Sequence, residues 1–313
     1  MNHHHLTLAG SMVALPTPFR DGEIDGAAFV RLCQRQIDHG TTALIVCGST
    51  GEAAAMRPEE QADLISLAVG AAKGRVPVIA GCGGPSTDAA MIIGRLAARI
   101  GADALLCAPT AYVKPSQEGI AAHIRAIADA TGLPIVAYDV PGRAGVSIRD
   151  ETLATLFEHG LIVGLKDATA DLARPPRLRA MCGEAFAQLS GDDATAAAYR
   201  AAGGHGCISV TANLVPSLCF ALHAAWDRAD LTGFTRFARL RDLLAPLHDA
   251  LFAETNPVPL KAALALMDLA TAEVRLPLTK GCEATRWRLE RVLRPLIAVE
   301  ETLMAGGVDV LQS

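Results

Sequence analysis

The sequence predicts a (β/α)8 barrel followed by a C-terminal helical extension, and three observations carry that prediction. Short, continuously apolar runs recur eight times, at 11–16, 43–47, 77–81, 104–108, 134–138, 162–166, 187–190 and 207–210. Runs without alternation suit parallel strands buried on both faces. Successive runs start about 20 to 35 residues apart, the length of one strand plus one helix. Eight such units fit a closed barrel better than an open doubly wound sheet. Beyond about residue 215 the strand signals stop and only helical patterns remain.

In chain order, amphipathic alanine-rich stretches fill the gaps at 27–39, 58–72, 87–100, 117–131, 150–158 and 194–202. Gly40, Gly74, Gly101, Gly132, Gly160 and Gly203 follow these units or close the loops after them, where a left-handed residue is wanted. Three further helices are expected at 231–252, 259–270 and 282–306. They are separated by Asn256-Pro257-Val258-Pro259 and Leu276-Pro277-Leu278. The expected organisation is a barrel over 1–225 and a helical region over 226–313 packed on it, since no low-complexity linker divides them.

The bulk chemistry points to small metabolites. Hydrophobic residues make up 51% of the 313 and aromatics only 4%, so the core is aliphatic. A formal net charge of −5 gives no reason to expect nucleic acid or an anionic membrane as partner. No apolar run approaches the ~18 residues a membrane helix needs. The start Met1-Asn2-His3-His4-His5-Leu6 lacks a basic-then-apolar order, so no signal peptide is expected and the location reads as cytoplasmic. His3, His4 and His5 are set aside as a metal site. The eight cysteines form no C-x-x-C pair, and several sit in or beside strand-like runs, as small core hydrophobes do.

Barrel enzymes carry their chemistry at the C-terminal ends of the strands. There the sequence offers Lys166, one of five lysines, at the end of the sixth run. Burial disfavours the charged form of an amine, and a neutral amine attacks carbonyls; the alternative is a lysine whose head reaches water. The fourth strand leads into Ala111-Tyr112, and the fifth ends in Tyr138-Asp139-Val140-Pro141-Gly142-Arg143. Tyr138 is a usable proton shuttle or a satisfied core tyrosine. Arg143 can clamp a carboxylate or lie free in solvent. Ser49-Thr50-Gly51-Glu52 follows the second strand, where turn N–H groups suit a carboxylate and the hydroxyls suit a helix cap. It lacks the G-K-[ST] ending of a phosphate loop. Asp192 and Asp193 resemble a carboxylate pair, or else they cap the next helix and order the loop.

Together, G-S-T-G-E at 48–52, Y-D-V-P-G-R at 138–143, G-L-K-D-A-T at 164–169, L-S-G-D-D at 189–193 and G-G-H-G-C-I-S-V-T-A-N at 203–213 resemble the dihydrodipicolinate synthase / N-acetylneuraminate lyase family, as does N-P-V-P-L-K ending at Lys261. The resemblance implies a Schiff-base lyase on a TIM barrel. Lys166 would form the imine with pyruvate, and Tyr138 would be the acid/base. Ser49 and Thr50 would hold the pyruvate carboxylate, and the Ser49 hydroxyl would link Tyr138 to Tyr112. In the family that last tyrosine crosses a dimer interface, and the assembly is a homotetramer. The carbonyl of Ile208 would face the reacting centre. Arg143 would meet the carboxylate of aspartate semialdehyde, which favours the synthase; the alternatives are a lyase or dehydratase of a 2-keto-3-deoxy sugar acid, and a non-catalytic 2-keto-acid-binding protein. No metal or organic cofactor is implied, because the lysine itself supplies the electron sink.

Three departures stand out. Ser49 replaces the usual threonine. The loop 109–115 is one residue longer, with a single tyrosine. Asp139 follows the tyrosine where asparagine is frequent, an exchange of small expected consequence. The positions that bind inhibitory lysine in regulated synthases are Ala53, Pro58, Pro85 and Ala89 here, so strong lysine inhibition is not expected.

Overall fold

The computed structural model describes residues 6–304; the histidines at 3–5 lie outside them. Strand β1 (Gly10–Ala14) leads into a small antiparallel hairpin, β2 (Phe19–Arg20) and β3 (Glu23–Ile24). Then come β4 (Leu44–Val46), β5 (Val78–Gly81), β6 (Ala104–Cys107), β7 (Ile135–Asp139), β8 (Gly164–Asp167), β9 (Ala187–Ser190) and β10 (Gly206–Ser209). The helices of the repeating units are α1 (Gly26–Asp38), α2 (Pro58–Ala72), α3 (Thr87–Ile100) and α4 (Gln117–Thr131), then α5 (Pro141–Ala144), α6 (Asp150–Glu158), α7 (Arg174–Cys182) and α8 (Asp193–Ala201). Helix α9 (Pro216–Asp227) follows the last strand, and α10 (Leu231–Leu251), α11 (Val258–Leu266) and α12 (Glu283–Met304) form the extension.

Eight parallel strands close on themselves in the order β1-β10-β9-β8-β7-β6-β5-β4. Met12 lies opposite Ile208 on one side of β1, and Val13 opposite Leu44 on the other. This is the TIM barrel the sequence predicts. Strand alternation then sorts the side chains. Met12, Ile45, Ile79, Leu106, Val136, Leu189 and Ile208 fill the barrel interior. Leu44, Val78, Leu105, Ile135 and Leu165, of the opposite parity, pack outward in the cluster shared with the helices. Each fully buried aliphatic side chain contributes about 1.5–3 kcal/mol. The same alternation turns Tyr138 and Lys166 inward at the top and Asp139 and Asp167 outward behind them.

The sixth strand starts two residues later than expected, at Gly164, because Ile162 is already committed to the outer cluster below it. Helices α7 and α9 escape the periodicity reading because each carries proline in its first turn. There a missing N–H would have had no helical partner, so proline is tolerated. The β2–β3 hairpin, which the sequence reading does not include, turns at Asp21-Gly22, whose φ values of 55° and 84° suit a two-residue turn. The six expected helix-stop glycines all have positive φ, from 65° to 106°. Helix α11 ends at Leu266, four residues short of the sequence expectation. The extension is pinned by Glu300 of α12, which accepts the free N–H groups of Ser217 (2.7 Å) and Leu218 (2.9 Å) at the start of α9.

Candidate active site

Tyr138 and Lys166 are directly paired across β7 and β8. Their inward side chains meet at the top of the barrel, with Lys166 Nζ 4.4 Å from the centroid of the Tyr138 ring. Both are buried, at 6% and 9% exposure for the lysine and the tyrosine. Space for the lysine stem is made by Gly191: a Cβ there would stand 3.2 Å from Lys166 Cε. At this depth, with the ring beside it, the amine is held inside the barrel mouth and does not reach out into water.

Behind the pair, sequence reasoning missed a buried cation. Arg174, at 3% exposure, donates through Nη1 to Asp139 Oδ2 (2.7 Å) and Asp167 Oδ1 (3.3 Å). Its Nε reaches Asp150 (2.8 Å) and its Nη2 the Ile148 carbonyl (2.6 Å). Burial pulls the guanidinium pKa down, but Asp167 and Asp139 outweigh it and hold Arg174 above its ordinary value. Tyr199 donates to Asp167 Oδ2 at 3.4 Å, and burial with that carboxylate beside it pushes the phenol up. Asp139 is therefore no small exchange: its carboxylate is fully buried and committed to Arg174 and to Ser147 Oγ (2.8 Å). The only sequence signal for Arg174 was a lone arginine before two prolines.

The loop after β4 carries Ser49 and Thr50. Its turn uses the N–H groups of Gly51 and Glu52 internally (3.1 Å each), and that of Ala53 (3.3 Å). Among the described residues, the N–H groups of Ser49 and Thr50 enter no hydrogen bond, which leaves two adjacent donors for an anion. The loop is tied down from far away. Thr17 Oγ1 donates to the Gly51 carbonyl at 2.7 Å. Asn256 Nδ2 donates to Thr50 Oγ1 at 3.0 Å, while the Asn256 carbonyl accepts from Arg143 Nη2 at 2.9 Å. One residue of the extension thus joins two predicted site residues. Glu52, with a left-handed φ of 55°, is paired with Lys261 of α11 and accepts the Arg275 N–H at 2.9 Å. Lys261 is 1% exposed. Burial pulls its ammonium below the ordinary pKa, and the Glu52 carboxylate pulls it back. Asn256 and Lys261 were visible in the sequence only as ends of the N-P-V-P-L-K motif.

The remaining candidates fall unequally. Arg143, on the short helix α5, reaches the same rim, and its bond to Asn256 leaves the rest of the guanidinium fork available. Ile208 lies in the barrel interior with Tyr138. Tyr112 stands apart. It is 96% exposed with a positive φ of 72°, and among the described residues no hydrogen bond joins it to Ser49 or Tyr138. Asp193 does not cap α8; it accepts from Ser209 Oγ (2.5 Å) and the N–H groups of Val210 (2.8 Å) and Thr211 (3.0 Å), fixing the loop after β10. Asp192 takes Thr195 Oγ1 at 2.7 Å. Among the described residues no group of three or more His, Cys, Asp or Glu side chains converges as a metal site would require.

A rim with a buried amine, a phenol, paired N–H donors and a guanidinium anchored through one nitrogen suits carbonyl chemistry on a carboxylate-bearing substrate. The model of the dihydrodipicolinate synthetase family matches residues 7–295. The chain belongs to that family. The 4-hydroxy-tetrahydrodipicolinate synthase of Rhodospirillum centenum is 50% identical over 277 residues, 88% of this chain and 94% of the relative. That of Parvibaculum lavamentivorans is 48% identical over 286 residues, 91% of this chain and 97% of the relative. Among solved structures, the chloride-inhibited dihydrodipicolinate synthase of Acinetobacter baumannii, in complex with pyruvate, superposes with a TM-score of 0.88 at 39% identity. That match covers 93% of this chain and 99% of the other.

Proposed function

We propose that this chain is a class I, Schiff-base-forming lyase that condenses pyruvate with L-aspartate-4-semialdehyde to 4-hydroxy-tetrahydrodipicolinate. The observation that carries the reading is the buried Lys166 amine packed on Tyr138 at register-matched strand ends, in a family member about half identical to relatives bearing that synthase's name.

The neutral Lys166 amine attacks C2 of pyruvate, and Tyr138 delivers the proton that lets the carbinolamine lose its hydroxyl as water. The cationic imine acidifies C3, and loss of a C3 proton gives the enamine. Its C3 bonds to the aldehyde carbon of the acceptor, whose oxygen takes a proton through Tyr138. The acceptor's own amino group then adds to the imine carbon and displaces Lys166, closing the ring with net loss of one water. The unspent Ser49 and Thr50 N–H groups support their role as the pyruvate carboxylate cradle, and the open Arg143 fork supports a clamp on the acceptor carboxylate. Ser49 Oγ would connect Tyr138 to Tyr112, and the Ile208 carbonyl would face the reacting centre.

A homotetramer built from dimers is part of the proposal. The exposure of Tyr112 and its neighbour Val113 supports a second copy covering that loop and completing the relay. The reading also carries a cytoplasmic location. Weak lysine inhibition is proposed on the apolar side chains of Ala53, Pro58, Pro85 and Ala89, none of which can ligate an amino acid; micromolar lysine affinity by calorimetry would contradict it.

The decisive experiment is borohydride reduction in the presence of pyruvate, read by peptide mass, with aspartate semialdehyde and 2-keto-3-deoxy sugar acids then offered side by side. We expect a pyruvate-derived increment on Lys166, none in the Lys166→Arg variant, and turnover of the semialdehyde. An unlabelled Lys166 would remove the lyase reading, and turnover of the sugar acids alone would replace the acceptor.

A further inference from the structure

Tyr138 and Lys166 act together only if two neighbouring strands hold their ends at one relative height. The β7–β8 ladder aligns Tyr138 with Lys166 and then Asp139 with Asp167. Its last backbone bond is from the Ala168 N–H to the Asp139 carbonyl, at 2.9 Å. Beyond that point the strands part. On the outer face of that last pair, a single guanidinium nitrogen of Arg174 joins the two carboxylates, and its other nitrogens are anchored on Asp150 and the Ile148 carbonyl.

We infer that Arg174 is a positioning residue for the Lys166–Tyr138 pair, acting through Asp139 and Asp167. The inference rests on the lyase reading above. Two consequences follow from physics. The first is geometric: a fork with four fixed acceptors prevents the two strand ends from sliding, and a misplacement of ~1 Å can cost about 10²-fold in rate. The second is electrostatic. Arg174 neutralises the two carboxylates that it joins, Asp139 and Asp167, both of which are buried. Without it two like charges stand side by side behind the strand ends, uncompensated, and their repulsion displaces the ends that carry Tyr138 and Lys166.

The test compares Arg174→Met, Arg174→Lys and the double variant Arg174→Met/Asp139→Asn with wild type, using Arg177→Met as a control. Arg177 shares Asp150 (3.0 Å) but reaches neither Asp139 nor Asp167. The measurements are thermal melting, kcat and KM, and the rate of borohydride trapping with pyruvate. For Arg174→Met we expect kcat and the trapping rate to fall about 10²-fold, with KM for pyruvate within about threefold of wild type. The double variant, with one carboxylate charge removed, should recover part of that loss. Arg174→Lys keeps the charge and loses the fork, so kcat should fall about tenfold. Arg177→Met should match wild type in kcat and in trapping rate.

A folded Arg174→Met variant with wild-type kcat and wild-type trapping rate would overturn the inference. If that variant does not fold, Arg174→Lys decides, and wild-type kcat there overturns it equally. A wild type that pyruvate and borohydride fail to label would instead overturn the lyase reading, and this inference with it.

Discussion

The two sides of the rim are held in opposite ways. On the β7–β8 side, Tyr138 and Lys166 are neighbours in a ladder, and the arginine behind them reaches Asp167 from 7 residues away and Asp139 from 35. On the β4 side, Thr50 is held by Asn256 across 206 residues, and Glu52 accepts an N–H from 223 residues on. The amine and its phenol therefore sit on the rigid barrel wall. The loop proposed as the carboxylate cradle depends on the C-terminal extension folding back over the rim. The extension is thus part of how the site is assembled, which a barrel with an appendage would not require.

If that contrast is right, chemistry and stability should separate. Tyr138→Phe should lower kcat by about 10²–10⁴-fold, the usual value of a positioned proton donor, and leave the melting temperature almost unchanged. The phenol oxygen has no hydrogen-bond partner among the described residues, so the fold loses little with it. A melting point several degrees lower would mean that the phenol also holds the wall, and the contrast would blur.

Lys261→Met reverses the pattern. Lys261 and Glu52 are almost fully buried partners, and removing one member of such a pair costs about 3–5 kcal/mol because the other charge is stranded. Chemical denaturation should show that loss. KM for pyruvate should rise more than kcat falls, since the loop's proposed part in binding rests on two N–H groups and its proposed part in proton relay on the Ser49 hydroxyl alone. An unchanged unfolding midpoint would show that the extension does not hold the cradle.

Arg143→Ala sits between the two sides. Among the described residues its guanidinium makes a single hydrogen bond, to the Asn256 carbonyl, so stability should change little. A lost charge-assisted bond of about 1.5–3 kcal/mol predicts a fall of about ten- to a hundredfold in kcat/KM for the semialdehyde. Labelling of Lys166 by pyruvate alone should proceed at the wild-type rate. A parallel loss of labelling would place Arg143 on the pyruvate side.

How much of this was legible in the sequence follows the same division. Strand ends can be read locally, because continuous apolar runs and glycine stops report on neighbours in the chain; Lys166, Tyr138, Thr50 and Arg143 were accessible in that way. Arg174 was not. Nothing local distinguishes an arginine that will be buried from one that will be solvated, and Pro175-Pro176 masked its helix. Asn256 and Lys261 were visible as a motif, but their targets lie some two hundred residues away, and no periodicity encodes a contact at that distance. Asp139 was undervalued for the same reason, since its partner comes from α7, 35 residues on and beyond the next strand.

The smallest effect concerns acid. Glu60 accepts from both terminal nitrogens of Arg275, at 2.6 and 2.9 Å, and from the Arg57 N–H at 2.8 Å. The hydrogen bonds from Arg275, offset in part by burial, lower its carboxyl from 4.5 to about 2. Arg275 also reaches the Ala55 and Gly22 carbonyls, so this pair ties the segment after β4 to the β2–β3 hairpin. A depressed folded-state pKa means that the stabilisation is complete above the unfolded value and disappears as pH falls through the folded one. Wild type and Glu60→Gln should therefore differ most in melting temperature near pH 6, and converge between about 4.5 and 2. Because the pair serves the β4 side alone, the Tyr138→Phe variant should show the same convergence when it is combined with Glu60→Gln. A gap between wild type and Glu60→Gln that stays constant from pH 6 down to 3 would assign the stabilisation to packing around Arg275 instead of to the Glu60 charge.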